Sequence, residues 1–346
     1  MAQGHRGRAG LRRFVAAVFR GLLSEAGGGY TGRVMKRVVL LFSGQGAQKV
    51  GMGKDLIEAS PKAREMCERA DEVLGFSLSK VMFEGPDEEL TRTSRCQPAL
   101  FLHGLMCLEI LRERCPDLEA VAAAGLSLGE FTAHAAAGTL SFESGLSVVA
   151  KRGAFMEEAC EATSGTMAAM IGGDEESVVR LAEECGVDVA NFNAPGQIVI
   201  SGEIDGIKQA VAKAKGAGIR RAIPLKVAGA YHSRLMLTAR EKLAAELARV
   251  EFAEPRIPVV CNVDGCAVST PEEIRSSLER QVTGSVRWLD SIRLLRSQGH
   301  ETFLELGPGK VLAGLLAKID RDAKVFAVED LAGIDAVAGE FGCAGA

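Results

Sequence analysis

Ser127 stands in Gly125-Leu126-Ser127-Leu128-Gly129, between a short apolar run and the helix-like segment Glu130-Phe131-Thr132-Ala133-His134-Ala135. In a strand–turn–helix setting the two glycines permit a cramped turn that lifts a serine hydroxyl off the end of a sheet. The N–H of Leu128 and the positive end of the following helix would face the place where a tetrahedral oxyanion forms. The chemistry predicted is acyl transfer or hydrolysis through an acylated serine. Taken alone, the pentapeptide also fits an ordinary turn serine.

A serine nucleophile needs a base, and the chain has five histidines. His5 lies in the Arg-rich head, and His103 sits among Leu102, Leu105 and Met106 as a packed helix histidine would. His134 falls about two helical turns beyond Ser127 and points away from it. His300 is in the polar turn Ser297-Gln298-Gly299. His232, in Ala228-Gly229-Ala230-Tyr231-His232-Ser233, follows a predicted strand, and sites form at the carboxyl ends of strands in open α/β sheets. Elimination favours His232.

Other motifs are weaker. Gly44-Gln45-Gly46-Ala47-Gln48-Lys49 departs from G-x-G-x-x-G at Lys49, and no G-x-x-x-x-G-K-[ST] occurs, so nucleotide binding has little support. This loop reads better as a second source of oxyanion N–H groups. Arg152, in a helical apolar segment, fits two roles equally: a snorkelling or ion-paired side chain, or a clamp for a substrate carboxylate. The nine cysteines are odd in number, form no C-x-x-C and sit mostly among apolar residues. They read as reduced core thiols, neither a disulfide framework nor a zinc site.

The elements that must hold these residues alternate. Apolar β-rich runs at 38–42, 121–124, 197–201, 222–227, 259–263, 302–306 and 325–328 are separated by helix-period segments such as 61–73, 98–114, 142–159 and 239–250. Alternation predicts an α/β protein with a mostly parallel sheet covered on both faces. Residues 165–227 read as their own β-α-β-β-α-β unit, the split βαβ or ferredoxin-like pattern, inserted into a larger body. The 346 residues include 40 glycines but only 17 aromatic residues, which suits tight strand-to-helix turns and not a stacking-based nucleic-acid binder. No apolar run is long enough for a transmembrane helix.

Charge separates the ends. Residues 1–34 carry six arginines against Glu25, whereas the remainder holds 35 basic and 44 acidic residues, a balance of −9. Such a body gives no sign of nucleic-acid affinity. The basic head reads either as an extension outside the fold, with Met35 a natural first residue, or as an organelle transit segment. The Ala/Gly-rich end, 332–346, reads as a tail.

Taken together these segments resemble the malonyl-CoA:acyl-carrier-protein transacylase family of fatty-acid synthesis, from about Val38 to Val328. The resemblance rests on Phe42-Ser43-Gly44-Gln45-Gly46-Ala47-Gln48, Gln97-Pro98-Ala99-Leu100, the Ser127 pentapeptide with Glu130, Arg152-Gly153 and Asn193-Ala194-Pro195-Gly196-Gln197. It continues through Gly229-Ala230-Tyr231-His232-Ser233, Gln281, Val286-Arg287-Trp288 and Glu305-Leu306-Gly307-Pro308-Gly309. It implies Ser127 as the acylated nucleophile and His232 as its base, oriented by the main-chain carbonyl of Gln281. It further implies Gln45 and Leu128 as oxyanion N–H donors, Arg152 as partner of the malonyl carboxylate, and Asn193 in a cleft-lining segment.

The implied fold is an α/β-hydrolase-like large subdomain (35–163 and 229–331) with an inserted ferredoxin-like small one (164–228), the site lying between them. Malonyl-CoA and acyl carrier protein are the implied partners, with no separate cofactor or metal. A cytoplasmic monomer is expected, with organelle targeting the alternative. Leu126 stands where many relatives have His, Ser43 replaces a frequent Pro, and Tyr231 a frequent Phe. A basic cluster, Lys208, Lys213, Lys215, Arg220, Arg221 and Lys226, is either a carrier-protein dock or a solvated face. The rivals are a serine thioesterase or esterase, with Asp174, Asp188 or Asp205 as triad acid, and a non-catalytic carrier-protein-binding relative.

Overall fold

In the run Lys36–Phe42 alternate side chains enter two different cores: Val38, Leu40 and Phe42 join one, Val39 and Leu41 the other. All five are buried, which contributes about 1.5–3 kcal/mol per side chain. A strand apolar on both faces belongs in the middle of a sheet covered by helices on each side. That is its place in the computed structural model, which describes residues 35–343. The readings of residues 1–34 fall outside the described residues.

The chain begins with β1 (Lys36–Phe42), then α1 (Lys54–Ala59), α2 (Pro61–Leu74), α3 (Leu78–Glu84), α4 (Asp87–Thr91) and the long α5 (Thr93–Arg114). Next come β2 (Leu118–Gly125), α6 (Leu128–Ala136) and α7 (Phe142–Ala162). They are followed by β3 (Gly165–Ile171), α8 (Glu175–Glu184), β4 (Asp188–Ala194), β5 (Gln197–Glu203), α9 (Ile204–Lys213) and β6 (Arg221–Pro224). After α10 (Leu237–Leu247) come β7 (Val259–Val260), β8 (Ala267–Val268), α11 (Pro271–Gln281) and α12 (Trp288–Ser297). The chain closes with β9 (Thr302–Leu306), α13 (Val311–Ile319), β10 (Lys324–Val328) and α14 (Leu331–Glu340).

These strands make two sheets. The larger has the order β10-β9-β1-β2-β7-β8 and is parallel throughout except for the β7–β8 hairpin. The smaller is antiparallel, in the order β4-β5-β3-β6, and follows the β-α-β-β-α-β sequence expected of residues 165–227. It has its own core, in which Met170, Ile198 and Ile200 meet Val178 and Leu181 of α8 and Ile207 of α9. Its edge strand is tied to the larger body between α11 and α12: Phe192 N–H donates to the Val286 carbonyl at 2.9 Å, and Val286 N–H to that of Ala190 at 2.8 Å.

Several boundaries differ from expectation, three of them with a visible cause. Helix α5 starts at Thr93, not Pro98. The turn before the proline is kept because Thr93, Ser94, Cys96 and Gln97 are buried and Ser94 N–H donates to Glu157 at 2.9 Å. Strand β7 ends at Val260, where the chain turns back through Gly265 at φ 61°. The expected tail is instead largely helix α14: Asp330 caps its start by accepting from Gly333 N–H, and Ile334 and Val337, three residues apart, are buried. No helix among the described residues is long and apolar enough to cross a membrane. All nine cysteines are free thiols, six of them buried.

Candidate active site

Ser127 lies two residues past the end of β2, at the N-cap position of α6, with φ 55° and ψ −104°. Two glycines make that turn possible. A Cβ on Gly125 would come within 2.0 Å of the Gly129 carbonyl group, and one on Gly129 within 2.2 Å of the Phe42 carbonyl oxygen. The elbow is also held from outside: Asn262, just past β7, accepts from Ser127 N–H at 2.6 Å and donates to the Gly125 carbonyl at 2.7 Å.

His232 Nε2 lies 2.8 Å from Ser127 Oγ, and its Nδ1 lies 2.9 Å from the main-chain oxygen of Gln281. A carbonyl can only accept, so Nδ1 carries the proton and Nε2 is free to take the serine's. His232 also sits at φ 55°. It and Ser127 are the only non-glycine residues with positive φ among the described residues, each costing about 1–3 kcal/mol.

Burial first, and the Arg152 charge second, push the His232 imidazolium down to about 4, so the imidazole is neutral through the physiological range. The base is therefore present above about pH 4 and lost below it. The kcat/KM profile should show its acid limb near pH 4 and none near 6.5; a limb near 6.5 in a steady-state pH series would sink this protonation assignment.

Arg152, on α7, is fully buried. Its Nη1 donates to Gln97 Oε1 at 2.7 Å, and its Nη2 donates to Gln281 Oε1 at 2.9 Å and to Ser127 Oγ at 3.1 Å. The guanidinium lies over the Phe131 ring at 5.3 Å, and no carboxylate is within ion-pair distance among the described residues. Burial draws its pKa down only to about 10, so it stays charged at neutral pH. A buried cation whose direct hydrogen-bond partners are only amide and hydroxyl oxygens is costly, and an anion bound beside it lowers that cost.

Ser127 and His232 open onto a cavity of about 530 Å³ between the two sheets, whereas Arg152 lies behind its wall, hydrogen-bonded to Gln97 and Ser127, which line it. Gln45, Gln97, Leu126, Ser127 and His232 line one side, and Met156, Met167, Asn191, Val199 and Leu225 supply much of the rest. Tyr231 joins the wall with its hydroxyl 2.7 Å from Thr93 Oγ1 and within reach of Gln45 Nε2 at 3.4 Å. Leu128 opens α6, where the first N–H groups lack helical partners.

The segment around Asn193 reaches the cavity through a neighbouring residue. The asparagine lining the cavity is Asn191, while Asn193 is off the lining with a buried, unbonded Oδ1. The β4 ladder is irregular on either side of this pair, so simple alternation does not carry both side chains to the cavity.

The acids of the triad alternative are engaged elsewhere. Asp174 caps α8, Asp188 pairs with Arg234 at 2.8 Å, and Asp205 pairs with Lys208 at 3.3 Å. His103 and His134 are buried away from the site. Three site residues had no role in the sequence reading. Gln97 and Glu130 stand in motifs that carry the family resemblance, and Asn262 lies within the apolar run 259–263; a lone polar residue in an apolar segment is the available signal. Glu130 is fully buried and accepts from Gln281 Nε2 at 2.6 Å.

Residues 39–334 match the acyl transferase domain family. The chain belongs to that family. It is 43% identical over 303 residues to a malonyl CoA-acyl carrier protein transacylase of Bacillus subtilis, covering 86% of this chain and 94% of that protein. An acyl carrier protein S-malonyltransferase from Vibrio cholerae, solved as a crystal structure, superposes with a TM-score of 0.84 at 38% identity, covering 87% of this chain and all of the other. A malonyl-transacylase solved in complex with its type II PKS acyl-carrier protein superposes with a TM-score of 0.85 at 37% identity, covering 88% and 100%.

Proposed function

We propose that the protein transfers the malonyl group of malonyl-CoA to the phosphopantetheine thiol of acyl carrier protein, through a malonyl ester on Ser127. The observation that carries this reading is the buried guanidinium of Arg152, without a carboxylate partner, 3.1 Å from the hydroxyl that Nε2 of His232 can deprotonate. Acyl selection by charge needs a cation beside the nucleophile, within reach of the free carboxylate of the acyl group.

In this reading His232 takes the Ser127 proton as the hydroxyl attacks the thioester carbonyl. The N–H groups of Gln45 and Leu128 hold the oxyanion, each worth about 3–4 kcal/mol in comparable sites. The C–S bond breaks, and the protonated histidine gives its proton to the departing CoA thiolate. The phosphopantetheine thiol then enters, loses its proton to His232 and attacks the ester, so the steps run in reverse. The largely apolar cavity favours thiol over water at the second step. No cofactor or metal is required by these steps.

We read the larger sheet with its helices, 35–163 and 229–331, as an α/β-hydrolase-like subdomain and 164–228 as a ferredoxin-like insertion. The sheet order β4-β5-β3-β6 supports the second assignment. Incubation with radiolabelled malonyl-CoA tests the function: label should appear on Ser127 and then on added carrier protein. Label going straight to free malonate would favour a thioesterase, and no label on the protein would favour a non-catalytic relative.

Lys208, Lys213, Lys215, Arg220, Arg221 and Lys226 are all exposed on the smaller sheet's side of the protein. They offer a basic face to an acidic carrier protein. Reversing Arg220 and Arg221 to Glu should raise KM for carrier protein several-fold at low salt and leave KM for malonyl-CoA unchanged. Unaltered carrier kinetics would remove this face from the docking site.

A further inference from the structure

Glu130, in the first turn of α6, is fully buried and has no cation within ion-pair distance among the described residues. Its Oε2 accepts from Gln281 Nε2 at 2.6 Å and from Asn262 N–H at 2.9 Å, while Oε1 is buried with no hydrogen-bond partner. Gln281 in turn accepts from Arg152 at 2.9 Å through Oε1. A buried anion and a buried cation therefore face each other across one amide.

We propose that Glu130 is the resident counter-charge of Arg152, and that it takes up a proton from solvent when the carboxylate of the acyl substrate assumes that role. The proposal rests on the malonyl-transfer reading of the site. With the cavity empty, one positive and one negative group balance. A second carboxylate at Arg152 leaves an excess negative charge in a low-dielectric site, which like-charge repulsion and burial oppose. The proton can settle on the unpartnered Oε1, forming one O–H bond while both bonds to Oε2 persist. Gln281 then keeps its side chain, and the carbonyl it offers His232, in place.

The other titratable groups facing Glu130 come from the turn after β7. They are the buried Cys261 thiol and Asp264, which is held by Arg280 at 2.6 and 3.1 Å. His232 is reached only through the Gln281 carbonyl. Burial is the main cause holding the Glu130 carboxyl up at about 7, against the pull of Gln281, Asn262 and Arg152. It is thus mostly ionised just above pH 7 in the empty site. Uptake of a proton on binding means that malonyl-CoA affinity falls as pH rises above about 7, by up to about tenfold per pH unit.

The test uses Ser127→Ala, which binds without acylation, titrated calorimetrically with malonyl-CoA near pH 8 in two buffers of different ionisation enthalpy. The expected result is a buffer-dependent heat equal to a large fraction of one proton taken up. Acetyl-CoA should show none, and adding Glu130→Gln should abolish both the uptake and the pH slope. Infrared difference spectra of Ser127→Ala alone should show a protonated-carboxyl band with malonyl-CoA only, a readout that does not depend on the second variant folding. Malonyl-CoA binding with buffer-independent heat and no such band overturns the proposal and leaves the malonyl reading standing. Equal binding of malonyl-CoA and acetyl-CoA overturns both.

Discussion

Replacing Arg152 by alanine is expected to lower kcat/KM for malonyl-CoA by about 10²–10⁴-fold, the scale of about 3–5 kcal/mol for removing one partner of a buried charge pair. The same variant should lose far less with acetyl-CoA, because an acetyl unit has no carboxylate to leave unpaired. Part of the loss will be common to both substrates, since Arg152 also binds Gln97, Gln281 and the Ser127 hydroxyl. The ratio of the two losses is therefore the measurement. Equal losses in a side-by-side assay with the two thioesters would remove the clamp. Arg152→Lys should rescue little, because an ammonium cannot reproduce the guanidinium's fork of donors.

Replacing Ser127 by alanine should lower kcat by about 10⁴–10⁶-fold, the range over which single members of serine relays act. His232→Ala should cost a similar amount, and the double variant little more, because the two residues move one proton together. Their 2.8 Å contact makes that non-additivity the informative quantity. Losses in the double variant equal to the product of the single losses, in steady-state transfer assays, would show that the residues act independently. Retained transfer in Ser127→Ala would show that acyl passage does not use this hydroxyl.

Much of this arrangement was legible in the chain because it is local. The β-rich run before Gly44, the strand before Gly125 and the pentapeptide each encode their own geometry within a few residues. The glycines at 125 and 129 are required by backbone approaches under 2.5 Å, a demand that leaves a visible mark on sequence. Strand and helix alternation likewise showed the parallel sheet and the inserted antiparallel unit.

The polar network was not legible. Gln97, Glu130, Asn262 and Gln281 come from four distant segments, and only folding brings their amides and carboxylate together. Gln281 itself entered by resemblance, since nothing in its neighbourhood marks it. That Asn191 and not Asn193 lines the cavity follows strand irregularities on either side of Asn191, which are decided by pairing, not by the strand's own residues. The tail was misjudged on composition: Ala and Gly mask an apolar pair at Ile334 and Val337 that suffices to dock a helix.

The left-handed backbone at Ser127 and His232 has an evolutionary consequence. Among the described residues positive φ outside glycine occurs only at the two residues of the relay, so glycine at either position would relieve local backbone strain and at the same time abolish transfer. Selection for thermal robustness and selection for turnover therefore pull in opposite directions at these two codons. A lineage that lost its need for the acyl group would shed its relay first and keep its architecture, so that inactive descendants should be identifiable by what replaces Ser127 and His232 before anything else in the chain has drifted.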